Sequence, residues 1–199
     1  MRDLFKTLTC VLALGAAAPV LAQDAAAPQS DPTLSMGQDD TENKVGSTYV
    51  KETHGDWEMR CVHAPEGQAD PCQLYQLLKD DADNPTAEIS IFALPDDQTA
   101  VAGATIATPL ETLLTQQLRL SVDGGQAKIY PFTWCSQAGC FARVGFTAAD
   151  IDAFKAGNSA TLTIVPMAAP DQTVDLKVSL SGFTAGFDAI KAAAAAAAN

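Results

Sequence analysis

The sequence predicts an all-β, mainly antiparallel domain: a β-sandwich or open barrel, disulfide-stapled, with one short helix near residues 148–156. Three observations predict it. Apolar and polar residues alternate in short runs, turn residues separate those runs, and four cysteines fall in two close pairs.

The runs follow in chain order. In 56–62, Trp57, Met59 and Cys61 share one face while Glu58 and Arg60 share the other. Ile89 and Ile91 alternate with Glu88 and Ser90, and Leu118, Leu120 and Val122 alternate with Arg119 and Ser121. Asp123-Gly124-Gly125 then marks a tight turn into 126–132. Further strands are expected over 141–146, 160–165 and 174–180. Thr108-Pro109-Leu110-Glu111 starts like a helix, but the alternation from Leu118 allows it a turn or two at most. The one clear helix begins at Thr147-Ala148-Ala149-Asp150, a capping box with Asp in place of Glu. Ile151 and Phe154 supply its apolar step and Gly157 its expected terminator.

Four zones are expected along the chain. Residues 1–22 read as a secretory signal peptide: Arg2 and Lys6 precede an uncharged apolar run, and Val20-Leu21-Ala22 offers a cleavage site. That run falls short of the ~20 residues a spanning helix needs, so no membrane span is expected after cleavage. Cys10 lies within it and leaves with it. Residues 23–47 are rich in Ala, Pro, Gln, Ser and Asp, and they bury too little apolar area to offset ordering entropy; they read as an acidic tether. The folded domain spans 48–190, and 191–199 is a poly-alanine tail able to extend a C-terminal helix.

Charge narrows the partners. The full chain carries 12 basic and 24 acidic side chains. Loss of 1–22 removes Arg2, Lys6 and Asp3, which leaves 10 against 23 and a net charge of −13 on 177 residues. Such a surface repels nucleic acid and anionic lipid, and neither is expected as a partner.

Cys61, Cys72, Cys135 and Cys140 allow three pairings. The loop geometry favours the two local ones. Cys135 and Cys140 enclose a hairpin-length segment with Gly139 available for positive φ, and residues facing across such a base lie ~5 Å apart, within disulfide reach. Cys61 and Cys72 bracket Ala64-Pro65-Glu66-Gly67 and Asp70-Pro71, both turn signals. Each closure is worth about 2–3 kcal/mol on chain entropy. Other uses of these sulfurs fit less well. A thioredoxin-type site needs Cys-x-x-Cys, and Cys61, His63 and Cys72 match no common zinc spacing. An immunoglobulin-type staple needs a Trp between distant cysteines, whereas Trp57 precedes Cys61 and Trp134 abuts Cys135.

A catalytic set is equally hard to assemble. His54 and His63 are the two histidines, and neither sits in a motif. Asp80-Asp81-Ala82-Asp83-Asn84 opens like a calcium loop, lacks its central Gly and has Pro85 at a ligand position; it reads as a solvated turn. No phosphate cradle, glycosidase carboxylate pair or nucleophile elbow is present, so no enzyme activity, cofactor or metal is expected.

Gly55-Asp56-Trp57 ahead of Cys61, Thr108-Pro109-Leu110 followed by 118–124, Pro131-Phe132 to Cys135, Gly139-Cys140-Phe141-Ala142, and Val178-Ser179-Leu180-Ser181-Gly182-Phe183 together resemble the invasion-associated locus B family. The resemblance covers about residues 48–190. It implies a β-rich periplasmic or secreted domain of an alphaproteobacterial envelope, and it supplies no catalytic residues. The long acidic tether departs from it. The expectation is therefore a non-enzymatic interaction or accessory module for a protein or cell-envelope partner. The alternative is a small-ligand-binding or hydrolytic periplasmic domain, with a pocket between sheets marked by Trp57 and Trp134.

Overall fold

The computed structural model describes residues 44–95 and 98–197. The expected signal peptide, Cys10 and nearly all of the expected tether lie outside the described residues.

Among the described residues, eleven strands form two antiparallel sheets. The larger contains β1 (Thr48–His54), β2 (Trp57–Val62), β3 (Cys72–Lys79), β4 (Pro85–Ala93), β5 (Ala102–Thr108), β8 (Trp134–Ser136) and β9 (Gly139–Phe146), in the order β1-β2-β3-β4-β5-β9-β8. The smaller contains β6 (Leu118–Val122), β7 (Lys128–Tyr130), β10 (Ser159–Ile164) and β11 (Val174–Ser179), in the order β11-β10-β6-β7. Pairing with the domain already begins at the end of the expected tether, where Gly46 N–H donates to His63 O (2.8 Å) and His63 N–H donates to Ser47 O (2.9 Å).

Period two explains the layers. Trp57, Met59, Leu74, Leu78, Ile89, Ile91, Ile106 and Phe146 point inward from the large sheet and are buried, as are Leu118, Leu120, Leu162, Leu176 and Val178 from the small one. Their burial removes apolar surface from water at about 25 cal/mol per Å², the main force holding the layers together. The Asp123-Gly124 turn between β6 and β7 is of the type I′ kind: φ is 46° and 70°, and Gly125 N–H donates to Val122 O (2.8 Å). Its partner strand is shorter than the alternation suggests, spanning Lys128–Tyr130. The Thr108-Pro109 segment gives a turn and then one 3-10 turn, Leu114–Gln116.

Helix α1 (Ala148–Ala156) starts with the expected box: Asp150 N–H donates to Thr147 Oγ1 (3.3 Å) and Thr147 N–H donates to Asp150 Oδ2 (3.0 Å). Gly157 ends it with φ −79°, so a left-handed cap is not the reason for glycine there. Space is the reason, because a Cβ would lie 2.7 Å from Val122 Cγ1.

The single expected helix has a longer companion, α2 (Phe183–Ala197). Phe183, Gly186, Phe187 and Ile190 are buried at helical spacing, and the alanines continue the same helix. A tail that looks marginal alone is thus nucleated by a docked first half. Phe183 contacts Trp57 (ring centroids 5.5 Å) and Phe154 (5.4 Å), and this packing ties both helices to the inner face of the large sheet.

Candidate functional site: the outer face of the large sheet

The four cysteines close two neighbouring-strand bridges. Cys61 and Cys72 face each other across β2 and β3, Cys135 and Cys140 across β8 and β9, with Cα separations of 4.1 and 4.0 Å. As bonded sulfurs, all four are withdrawn from thiolate or metal chemistry.

Beside the first bridge, Asp70 gathers three groups. Its Oδ1 accepts Ala64 N–H (2.7 Å), its Oδ2 accepts the Tyr49 hydroxyl (2.7 Å), and His63 Nδ1 lies 3.7 Å away. The Ala64 N–H, then the Tyr49 hydroxyl, hold the Asp70 carboxyl below the usual range, and the bond to Asp70 pushes the Tyr49 phenol up. Tyr49 also stacks on His63, with centroids 4.3 Å apart. This cluster pins the Cys61–Cys72 loop onto β1. His54 ends β1 and meets Glu52 Oε2 at 3.0 Å. Each histidine thus has a carboxylate and no hydroxyl or thiol as its partner among the described residues, an orientation without a nucleophile.

The Asp80–Asn84 segment turns its carboxylate inward on itself. Asp80 Oδ1 accepts the backbone N–H groups of Ala82 (2.9 Å) and Asn84 (2.9 Å), and the bonds from Asn84 lower the Asp80 pKa. Among the described residues no group of three or more His, Cys, Asp or Glu side chains is placed to hold a metal.

The two tryptophans take opposite faces. Trp57 is fully buried and donates from Nε1 to Ser179 O (2.8 Å). Trp134 is 43% exposed, away from the pocket between sheets that the two rings were expected to mark. The strand register gives the reason: it pairs with Phe141, which lies between the inward-facing Cys140 and Ala142, so Trp134 must point outward. The two rings therefore share no pocket between the sheets.

Outward parity builds a surface that the sequence reading passes over. Leu77, Glu88, Ala107, Phe141 and Trp134 stand directly opposite one another across β3, β4, β5, β9 and β8 and form one row. Trp134 stacks on Phe141 with centroids 5.0 Å apart and planes at 11°. Leu77 is 45% exposed at the other end, beside a 240 Å³ depression bordered by Thr86, Ala107, Pro109 and Ala138. The next row is polar: Tyr75, Ser90, Thr105 and Arg143. There the Arg60 guanidinium lies 3.3 Å from the Tyr75 ring centroid and pairs with Glu58 (2.7 Å), while the Tyr75 hydroxyl donates to Glu88 (3.0 Å). Burial, then Glu88, raises the Tyr75 pKa. Farther along, the Phe92 ring covers Gly103, where a Cβ would come within 2.3 Å of it. One signal for this face was present in the sequence: Leu77 interrupts the polar side of Gln73-x-Tyr75-x-Leu77-x-Lys79.

Fold and surface define a disulfide-bonded, two-sheet β protein with an aromatic outer face. The chain belongs to the invasion-associated locus B family, whose description, "Invasion associated locus B (IalB) protein", matches residues 57–191. It is 28% identical over 151 residues to an invasion protein B homolog of Brucella abortus strain 2308, covering 74% of this chain and 82% of that protein. The same values hold for the homolog of Brucella abortus biovar 1 strain 9-941. The crystal structure of invasion associated protein B from Bartonella henselae superposes with a TM-score of 0.59 at 24% identity, over 71% of this chain and 95% of that one. That likeness establishes the shared fold. Among the described residues no helix is long and apolar enough to cross a membrane.

Proposed function

We propose that this chain is an exported, non-enzymatic interaction module of the bacterial cell envelope, which presents the outer face of its large sheet to a protein or envelope partner. The stacked, half-exposed Trp134–Phe141 pair carries the reading. Exposed aromatics beside an arginine are the composition that interfaces favour at their centres. Arg60 held over Tyr75, and the exposed Arg143 in the row next to Trp134, add a polar border to the aromatic pair. Family membership and the leader-like residues 1–22 support export, and neighbouring-strand disulfides suit an oxidising compartment.

Photocrosslinking tests it. A photoreactive residue at position 134 in the exported protein is expected to trap one discrete envelope component, and Arg143→Ala to lower the yield. A uniform smear equal to that from a probe at exposed Glu111 would reject the reading. Sequencing the mature protein is expected to find Gln23 first.

A further inference from the structure

We propose that the cavity between the β6–β7 hairpin and helix α1 binds a single-ring, uncharged aromatic molecule that carries one hydrogen-bond acceptor. The site shares no residue with the outer face of the large sheet, and it does not depend on that surface for its function.

Strand register creates the space. Leu118 and Leu120 face inward on β6, so their partners Tyr130 and Lys128 on β7 lie on the inward side as well. β7 is a three-residue strand at the edge of its sheet. Small residues keep the gap beside it from closing: Gly125 in the hairpin and Ala153 on α1 have no side chain long enough to reach across. What remains is a cavity of about 180 Å³, with Leu120, Phe146 and Phe154 buried beneath it and Val122 on its wall. Apolar cavities of about 150 Å³ hold one benzene ring, so a single ring with a small substituent fits.

The lining favours an aromatic guest. Phe146 meets Phe154 edge to face, with ring centroids 5.0 Å apart and planes at 70°. Tyr130 meets Phe146 in the same way, at 6.4 Å and 84°. Rings prefer such edge-to-face contacts, and an entering ring finds three partners for them grouped around one cavity.

Polar groups set the rest. Lys128 and Asp150 are the charged residues that line the cavity, and they pair with each other. The second Asp150 oxygen accepts the Thr147 N–H (3.0 Å) and hydroxyl (2.8 Å), so both carboxylate oxygens are engaged. Asp123, on the same hairpin, accepts the Asn158 and Ser159 N–H groups (3.0 Å each) and does not border the cavity. Ser121 and Gln126 complete the polar border without charge. The formal charge of the lining is thus zero, and an ion entering it would shed water with no unpaired opposite charge to receive it. The Tyr130 hydroxyl differs from these groups. It makes no hydrogen bond to any described residue, and it stays protonated because burial, then Asp150, pushes its pKa up to about 12. A half-buried O–H donor beside an apolar cavity calls for a neutral acceptor on the guest.

Titration of the ¹⁵N-labelled exported protein with acetophenone is the test, read from amide shifts at neutral pH. Saturable shifts are expected at Leu120, Val122, Gly125 and Ala153, and toluene should shift the same amides. Tyr130→Phe is expected to weaken acetophenone about two- to tenfold, the size of one hydrogen bond, and to leave toluene unchanged. Benzoate, similar in size but charged, should bind at least about tenfold more weakly than acetophenone. Ala153→Leu, at an exposed helical position, should fill the cavity and abolish both responses while the melting temperature is retained. Three results would overturn the proposal: shifts that fail to saturate or that gather at Trp134 and Phe141, benzoate binding as tightly as acetophenone, or equal weakening of toluene and acetophenone by Tyr130→Phe.

Discussion

Gln76 decides how the two sheets meet. Its carboxamide reaches from β3 to both backbone atoms of Ser179 and also donates to Asp56 O (3.3 Å), so truncation strands buried polar groups on both sides. Gln76→Ala is expected to cost about 1–3 kcal/mol in chemical denaturation, more than a surface Gln would. Nothing in the sequence marks this residue, because a glutamine inside an apolar alternation reads as an interruption rather than as a bridge. Tyr130 carries a different kind of signal. Burial first, then the Asp150 carboxylate, pushes its phenol up to about 12. The neutral phenol is therefore the form that the fold favours. Its stabilisation is whole below the ordinary value of 10.0 and fades as pH rises through about 12. Denaturation between pH 9 and 12 should show a decline that is shallower in Tyr130→Phe, since phenylalanine has no proton to lose.

At the scale of elements, two turns touch where β1 meets β2 and β11 meets α2. Gly55 (φ 57°) and Gly182 (φ 82°) lie backbone to backbone, and Asp56 N–H donates to Ser181 O (3.2 Å). A Cβ on Gly182 would sit 2.1 Å from His54 O, and one on Gly55 2.5 Å from Ser181 O. Gly182→Ala should destabilise by at least about 1–3 kcal/mol from conformation alone, with the collision added. Its melting temperature relative to wild type is the readout. The expected bridges make a parallel case: Cys135→Ser and Cys61→Ser should each cost about 2–3 kcal/mol, with the longer 61–72 loop the costlier to open. Strands with one wet face were legible because their period survives in the sequence. β5 was not: Ala102, Ala104, Ile106 and Thr108 are buried, but small residues on the alternate positions leave little contrast to read. β1 was hidden for the opposite reason. Nearly all of it is exposed, and a bulge between Val50 and Glu52 breaks its phase. Helix α2 was masked by its own alanines, whose low complexity resembles a tail. The outer face needed register, since Trp134 and Leu77 are 57 positions apart and meet only through three intervening strands.

For the whole molecule, the segment before the domain should be separable from it. Deleting residues 23–40 is expected to leave the melting temperature almost unchanged, because their composition offers little apolar surface to bury. A fall of several degrees would show that it docks. Each of the four bonded cysteines is joined to its next neighbour among them along the chain, 11 and 5 positions on, and neither loop encloses the other. An oxidant that joins thiols in their order of emergence from a translocation channel would therefore produce the native bonds at the first attempt. For the exported chain proposed above, oxidation calls for an oxidase alone, and a host strain without a disulfide isomerase should yield the same oxidised product.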